Sequence, residues 1–164
     1  QQGRLNALHR GSVAATALLP PFSGMAKQLG FHQLADLRKM DIEYAGTAIA
    51  GMGGYVKSHP TIVENFLKGY VESLDFFRTQ REKTIAGIMK FLKMNDRGRA
   101  EEGYDFYVGL MPVMPYATAN GVKSVLQFLA PSQPKAATAK PEDFYDMTTL
   151  KKIEASGFTK GFKK

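Results

Sequence analysis

The feature that most constrains this chain lies near its middle. Ile62, Val63, Phe66, Leu67, Tyr70, Val71, Leu74 and Phe77 recur at three- and four-residue spacing, which places them on one face of a long α-helix. Pro60 stands where a first-turn proline is tolerated, because its missing N–H would have no intrahelical acceptor there. Such a helix gains its stability from packing its apolar stripe, so a core must exist to receive it. At 164 residues the chain has the length for one domain with a respectable core. Its 44% hydrophobic and 23% charged residues, spread along the whole length, exclude a disordered or fibrous protein.

Shorter helices are expected on both sides. Leu5 and Leu8 sit at i, i+3 within Arg4–Arg10 and stop at Gly11, and Phe22, Met25, Ala26 and Leu29 repeat at helical spacing before Gly30. Further stripes carry Ile85, Ile88, Met89 and Leu92, then Tyr104, Tyr107, Leu110 and Met111, then Val122, Val125, Leu126 and Leu129. Asp96 and Thr118 are suited to cap the last two of these. Residues 130–140, with their Pro, Ala, Ser and Lys, read as an extended connector. A final helix over Met147–Ser156 is expected to start at Asp146 and end at Gly157, with Phe158 placed for a Schellman-type apolar contact.

Two segments read as strands. Val13–Leu19 is a continuous run of small apolar residues between Gly11 and Pro20-Pro21, the pattern of a buried parallel strand. Tyr44–Met52 is apolar, glycine-rich and poor in helix formers, which suggests a second strand packed close to other backbone. A two-stranded sheet is marginal alone, so strands are missing from an α/β reading. Either the fold is mostly helical with a small sheet, or the sheet is completed by residues outside this sequence.

Composition narrows the function classes. The absence of cysteine excludes disulfides, thiolate metal sites and cysteine nucleophiles. Charge or glycine interrupts each apolar run well short of the roughly 18 to 20 residues that span a bilayer, so no transmembrane helix is expected. The chain begins Gln1-Gln2 without a leader pattern, which reads as an internal piece. The formal charge of +7 is concentrated in part at Lys151, Lys152, Lys160, Lys163 and Lys164, the pattern of a solvated tail. No basic stripe interleaved with stacking aromatics accompanies it, so nucleic acid is not an expected partner.

Catalytic patterns are thin. HExxH, GxSxG and Walker spacings do not occur, and His9, His32 and His59 are scattered, which fits surface or capping roles. Gly51-Met52-Gly53-Gly54 lacks the Lys-Ser/Thr of a phosphate loop and reads as a turn. Tyr104 and Tyr107 have core spacing, Phe106 and Tyr116 could stack on a ligand, and Glu101-Glu102 reads as favourable first-turn charge. Ligands of open α/β sheets sit beyond strand carboxyl ends. Leu19, Pro20, Pro21 and Phe22 hold that position, though X-Pro-Pro also makes a rigid turn without any ligand.

Several of these pieces, in order, resemble one family. Ala7-Leu8-x-x-Gly11-x-Val13-x-Ala15, Leu19-x-Pro21-Phe22, Ala26-x-x-x-Gly30-Phe31, Leu34-Ala35-Asp36-Leu37 and Tyr44-x-Gly46-Thr47 are collinear with it. So are Ser58-His59-Pro60-x-x-Val63-x-x-Phe66-Leu67-Lys68-Gly69-Tyr70-Val71-Glu72, Pro141-Glu142-Asp143-Phe144-Tyr145-Asp146, Leu150 and Ser156-Gly157-Phe158. The set resembles the later half of nitrate/sulfonate/taurine-type ABC-transporter solute-binding proteins, a group that includes the thiamine-pyrimidine-precursor binders. Ala14 departs from the family's acidic residue in Gly-x-Val-Asp-Ala.

The resemblance implies a type II periplasmic-binding fold of the α/β class, here partial, helix-rich and with few strands of an incomplete sheet. Residues 1–39 would end the second lobe, 40–46 would cross back, and 47–164 would complete the first lobe. It implies an extracytoplasmic or periplasmic location, an ABC permease as partner, and a small organic solute held in an interlobe cleft near Leu19, Pro20, Phe22, Tyr44 and Thr47. No cofactor, metal or catalytic residue is implied. Two rivals stand beside this reading: a pyrimidine-precursor synthesis enzyme on the same fold, disfavoured by absent Cys and scattered His, and a self-associating module whose exposed edges pair between chains.

Overall fold

The computed structural model describes residues 1–40 and 43–162. The crossover expected over 40–46 includes Asp41 and Ile42, which, like Lys163 and Lys164, lie outside those residues. The helices are α1 (Gln2–His9), α2 (Phe22–Gln28), α3 (Gly53–Ser58), α4 (Pro60–Thr79), α5 (Arg81–Phe91), α6 (Arg97–Val108), α7 (Ala119–Leu129) and α8 (Thr148–Ala155). Single 3-10 turns occupy Leu37–Lys39, Pro134–Ala137 and Pro141–Phe144, so the connector after α7 is partly helical rather than extended. No helix among the described residues is long and apolar enough to cross a membrane.

The expected sheet is absent. Among the described residues there is no strand, and both Val13–Leu19 and Tyr44–Met52 are irregular chain. This overturns the α/β, type II binding-protein architecture. The physical reason is that a strand exists only through a ladder with a neighbour, and these two runs of Ala, Gly and Thr offer little side chain to bury. Val13 and Leu19 stay about 40% exposed, and Tyr44, Ile49 and Met52 are 52%, 50% and 80% exposed.

The helical expectations fare differently at their ends. Asp96 Oδ1 accepts from Arg99 N at 3.1 Å and Thr118 Oγ1 from Gly121 N at 3.1 Å, so both act as N-caps. Asp146 Oδ1 accepts from Thr148 N at 2.8 Å, one residue ahead of the cap position. Gly157 ends α8 with φ of 79°, a left-handed conformation that a side chain would strain. Phe158 makes its contacts elsewhere: its ring meets Phe162 edge-on at 5.8 Å, and Lys68 Nζ lies 5.7 Å from its centroid.

The chain folds as two units, Gln1–Asp36 with Phe76–Met111, and Leu37–Asp75 with Pro112–Lys164. In the first, Ile85, Ala100 and Tyr104 form a buried cluster with Phe77, Ile88, Met89, Met94 and Val108 packed on it. Tyr104 stacks on Phe77 at 5.3 Å, carries the Arg81 guanidinium 5.4 Å above its ring, and donates its hydroxyl to the Arg78 carbonyl at 3.3 Å. These contacts fasten the end of α4 and the start of α5 to α6. Outside them, Arg97 bridges Glu82 at 2.7 Å and Glu101 at 2.8 Å, which holds the Glu82 carboxyl below its usual range.

In the second unit the buried residues include Val71, Leu74, Gly121, Leu126, Leu150 and Ile153. Helix α7 packs on the two 3-10 turns that follow it. A Cβ at Gly121 would stand 3.3 Å from Ala45 N, and Ala45 N donates to Gly121 O at 3.2 Å, so glycine lets the Tyr44–Ala45 backbone touch α7. Tyr116 donates to Glu154 Oε2 at 2.7 Å, and burial followed by that carboxylate pushes its phenol up to about 12. Glu64 accepts from Lys152 at 2.7 Å and pairs with Lys68 at 2.8 Å, linking α4 to α8.

Two expected outcomes follow from this packing. Ile85→Ala removes a fully buried side chain and lowers unfolding free energy by about 2–5 kcal/mol, read by urea denaturation. The Lys152 and then the Lys68 hydrogen bonds lower the Glu64 carboxyl from 4.5 to about 2. A depressed carboxylate stabilises the fold above its unfolded value and loses that stabilisation as pH falls through its folded value. Glu64→Gln therefore gives a flatter stability curve than the parent between about pH 4.5 and about pH 2, measured by denaturation across that window; an unchanged slope refutes the assignment.

Candidate functional site

Within the first unit, the packing around Tyr104 leaves a cavity of about 310 Å³ on the far side of Phe77. That volume lies at the lower end of the range for small-molecule sites. Pro20 and Pro21, joined by a cis peptide bond, form one wall. Phe77 from α4, Ile88 and Leu92 from α5 with its cap, and Met94 from the next turn form others. Arg99, Gly103 and Tyr107 project from one face of α6 at i, i+4, i+8, and Met111 continues that line past the helix end.

Local chemistry places the Pro20-Pro21 wall. Leu19 O accepts from Phe22 N at 2.9 Å and Ser23 N at 3.2 Å, and Pro21 O accepts from Met25 N at 3.1 Å, so the turn leads directly into α2. Helix α2 meets α6 at Gly24, where any Cβ would collide with the Glu102 carboxylate. Glycine is thus what allows the second helix to approach the residue next to Gly103. Leu19 N also donates to Gln1 Oε1 at 3.4 Å, and Arg4 Nη1 to Ala17 O at 3.4 Å, tying the run before the turn to α1.

The charge in the cavity wall is already engaged. Arg99 Nε lies 3.0 Å from Asp96 Oδ2, while Asp96 Oδ1 caps the Arg99 amide. Asp96 therefore anchors both the start of α6 and the guanidinium that borders the cavity. The remaining lining side chains are hydrocarbon, thioether or aromatic, with the Tyr107 phenol as an added polar group.

Of the five residues expected near a ligand, Pro20 lines the cavity. Leu19 and Phe22 flank the turn on either side of the prolines and are not lining residues. Tyr44 and Thr47 belong to the second unit, on exposed irregular chain. Sequence reading missed Gly103 and Arg99, and it assigned Ile88, Leu92, Tyr107 and Met111 to core stripes. The spacing Arg99–Gly103–Tyr107 was the available signal, a small residue between two large ones on one helical face.

Other positions singled out in the sequence take structural roles. His59 stacks on Tyr55 at 4.3 Å, with its Nδ1 2.8 Å from Ser58 Oγ, and its carbonyl accepts from Val63 N, so it joins α3 to α4. Gly53 and Gly54 begin α3 instead of cradling a ligand. His9 closes α1, and His32 is exposed. Phe106 packs edge-on against Tyr107 at 5.0 Å. Among the described residues no group of three His, Cys, Asp or Glu side chains is arranged to hold a metal ion.

Comparison with protein-family models, curated proteins and solved structures finds no match. The site's meaning rests on its own geometry. Asp96→Ala removes the α6 cap and costs about 1 kcal/mol of stability by thermal or chemical denaturation. An Asp96→Asn variant, which retains a capping oxygen, recovers most of that loss; equal losses in both would show that the ion pair with Arg99 dominates.

Proposed function

We propose that this chain is a solute-capturing component of an ABC importer, working outside the cytoplasm and handing a small organic solute to a membrane permease. The observation that carries the reading is the cavity beside the Pro20-Pro21 turn, the position where the sequence pattern leads one to expect a solute. The collinear resemblance over nearly the whole chain supplies the transport context. No nucleophile paired with a base lines the cavity, so the residues in hand serve binding rather than bond chemistry. Binding energy would come from removing apolar ligand surface from water against Phe77, Ile88 and the methionines.

A second reading is favoured by specific exposure. Leu34 at 85%, Met52 at 80% and Leu37 at 60% stand on the surface of the second unit or just before it, and self-association would cover such side chains.

Calorimetry and thermal shift against a panel of small organic acids, sulfonates, amines and heterocycles separate the two. Solute capture predicts one ligand class binding at one site per chain and stabilising by about 2.7 kcal/mol at a hundredfold excess over Kd. Absence of any such ligand, together with a light-scattering mass that rises with concentration, would instead establish the self-associating module.

A further inference from the structure

We infer that the cavity selects a neutral, flat, hydrocarbon-rich ring over anions, zwitterions and polar heterocycles; this rests on, and deepens, the solute-capture reading. The first reason is the floor. Gly103 lies in the interior of α6, where glycine costs roughly 1 kcal/mol relative to alanine. Outside its own helix and chain neighbours, no protein atom lies within 4 Å of where its Cβ would stand. Packing therefore does not demand glycine there, in contrast to Gly24, where the Glu102 carboxylate does. What glycine provides at 103 is a flat stretch of helix surface between Arg99 and Tyr107, on which a planar group can lie.

The second reason is the chemistry of the walls. Phe77 and Tyr107 offer aromatic surfaces for offset or edge contact, and Met94 adds a polarizable thioether that favours ring partners. A ring nitrogen or hydroxyl facing Pro20, Ile88 or Met94 would lose water without gaining a hydrogen bond, which penalises polar heterocycles. The third reason is charge. Arg99 is the charged lining residue, and Asp96 holds its Nε at 3.0 Å. An incoming anion has to compete with a carboxylate already in place, and a zwitterion meets no second charged lining residue.

The test uses indole as the neutral ring, indole-3-acetate as its charged counterpart, and taurine and a hydroxymethylpyrimidine as polar comparators, titrated into the 164-residue chain by calorimetry. Two variants accompany it, Gly103→Leu to fill the floor and Gly87→Leu as a matched control. Gly87 is also a glycine inside a helix with open space above it, but it does not line the cavity. Both changes raise helix propensity, so circular dichroism and melting temperature should hold or rise in each.

The expected result is indole binding to the parent and to Gly87→Leu with equal affinity, at least about tenfold weaker binding to Gly103→Leu, and at least about tenfold weaker binding of indole-3-acetate to the parent. If a polar or charged comparator binds as tightly as indole and Gly103→Leu blocks it, the ring preference is wrong while solute capture at this cavity stands. If no compound binds the parent, or if Gly103→Leu leaves binding unchanged, the cavity is not the site and both readings fall.

Discussion

Tyr104 is the contact on which the first unit turns. Its ring stacks on Phe77, its face receives the Arg81 cation, and its hydroxyl reaches the Arg78 carbonyl. A single side chain thereby joins three consecutive helices by dispersion, cation–π attraction and a hydrogen bond, each modest and all sharing one desolvated ring. The cavity depends on this arrangement. Phe77 has one face against Tyr104 and also borders the cavity, so the position of that wall is set by the core behind it. Ile88, three residues on from buried Ile85, is likewise shared between core and cavity.

Glycine is used in three distinct ways along the chain. Gly24 and Gly121 admit close neighbours, a carboxylate in one case and the Tyr44–Ala45 backbone in the other. Gly157 adopts a left-handed turn that ends α8. Gly103 does neither, which is why it points to a ligand instead of to the fold. The distinction is steric, and the sequence letter alone is the same in every case.

The second unit is held by polar ties around a modest apolar core. Glu64 receives ammonium groups from both its own helix and α8, and Tyr116 is fixed to Glu154 of that same helix. Surface ion pairs of this sort contribute little singly. Their role is to choose how α8 lies against its neighbours once burial of Leu150 and Ile153 has brought it there. The irregular chain from residue 43 to 52 remains outside this core, with its apolar side chains facing solvent.

Local sequence determined the helices, because periodicity, N-caps at Asp96 and Thr118 and stops at Gly11, Gly30 and Gly157 act within a few residues of one another. The long α4 stripe and the core position of Tyr104 were legible for the same reason. The short helix α3 was not, since Gly53 and Gly54 carry no helical signal and α3 is continued by the His59 link to α4. Strands at Val13–Leu19 and Tyr44–Met52 were apparent in composition and did not form, because a ladder needs a partner that a segment's own letters cannot supply. Of the site, the Pro20 wall was readable as a rigid turn. The rest, Arg99 neutralised by Asp96 and the open floor at Gly103, is set by how α2, α4, α5 and α6 converge in space, and only the tertiary structure decides whether a residue on an apolar helix face meets protein or borders a cavity.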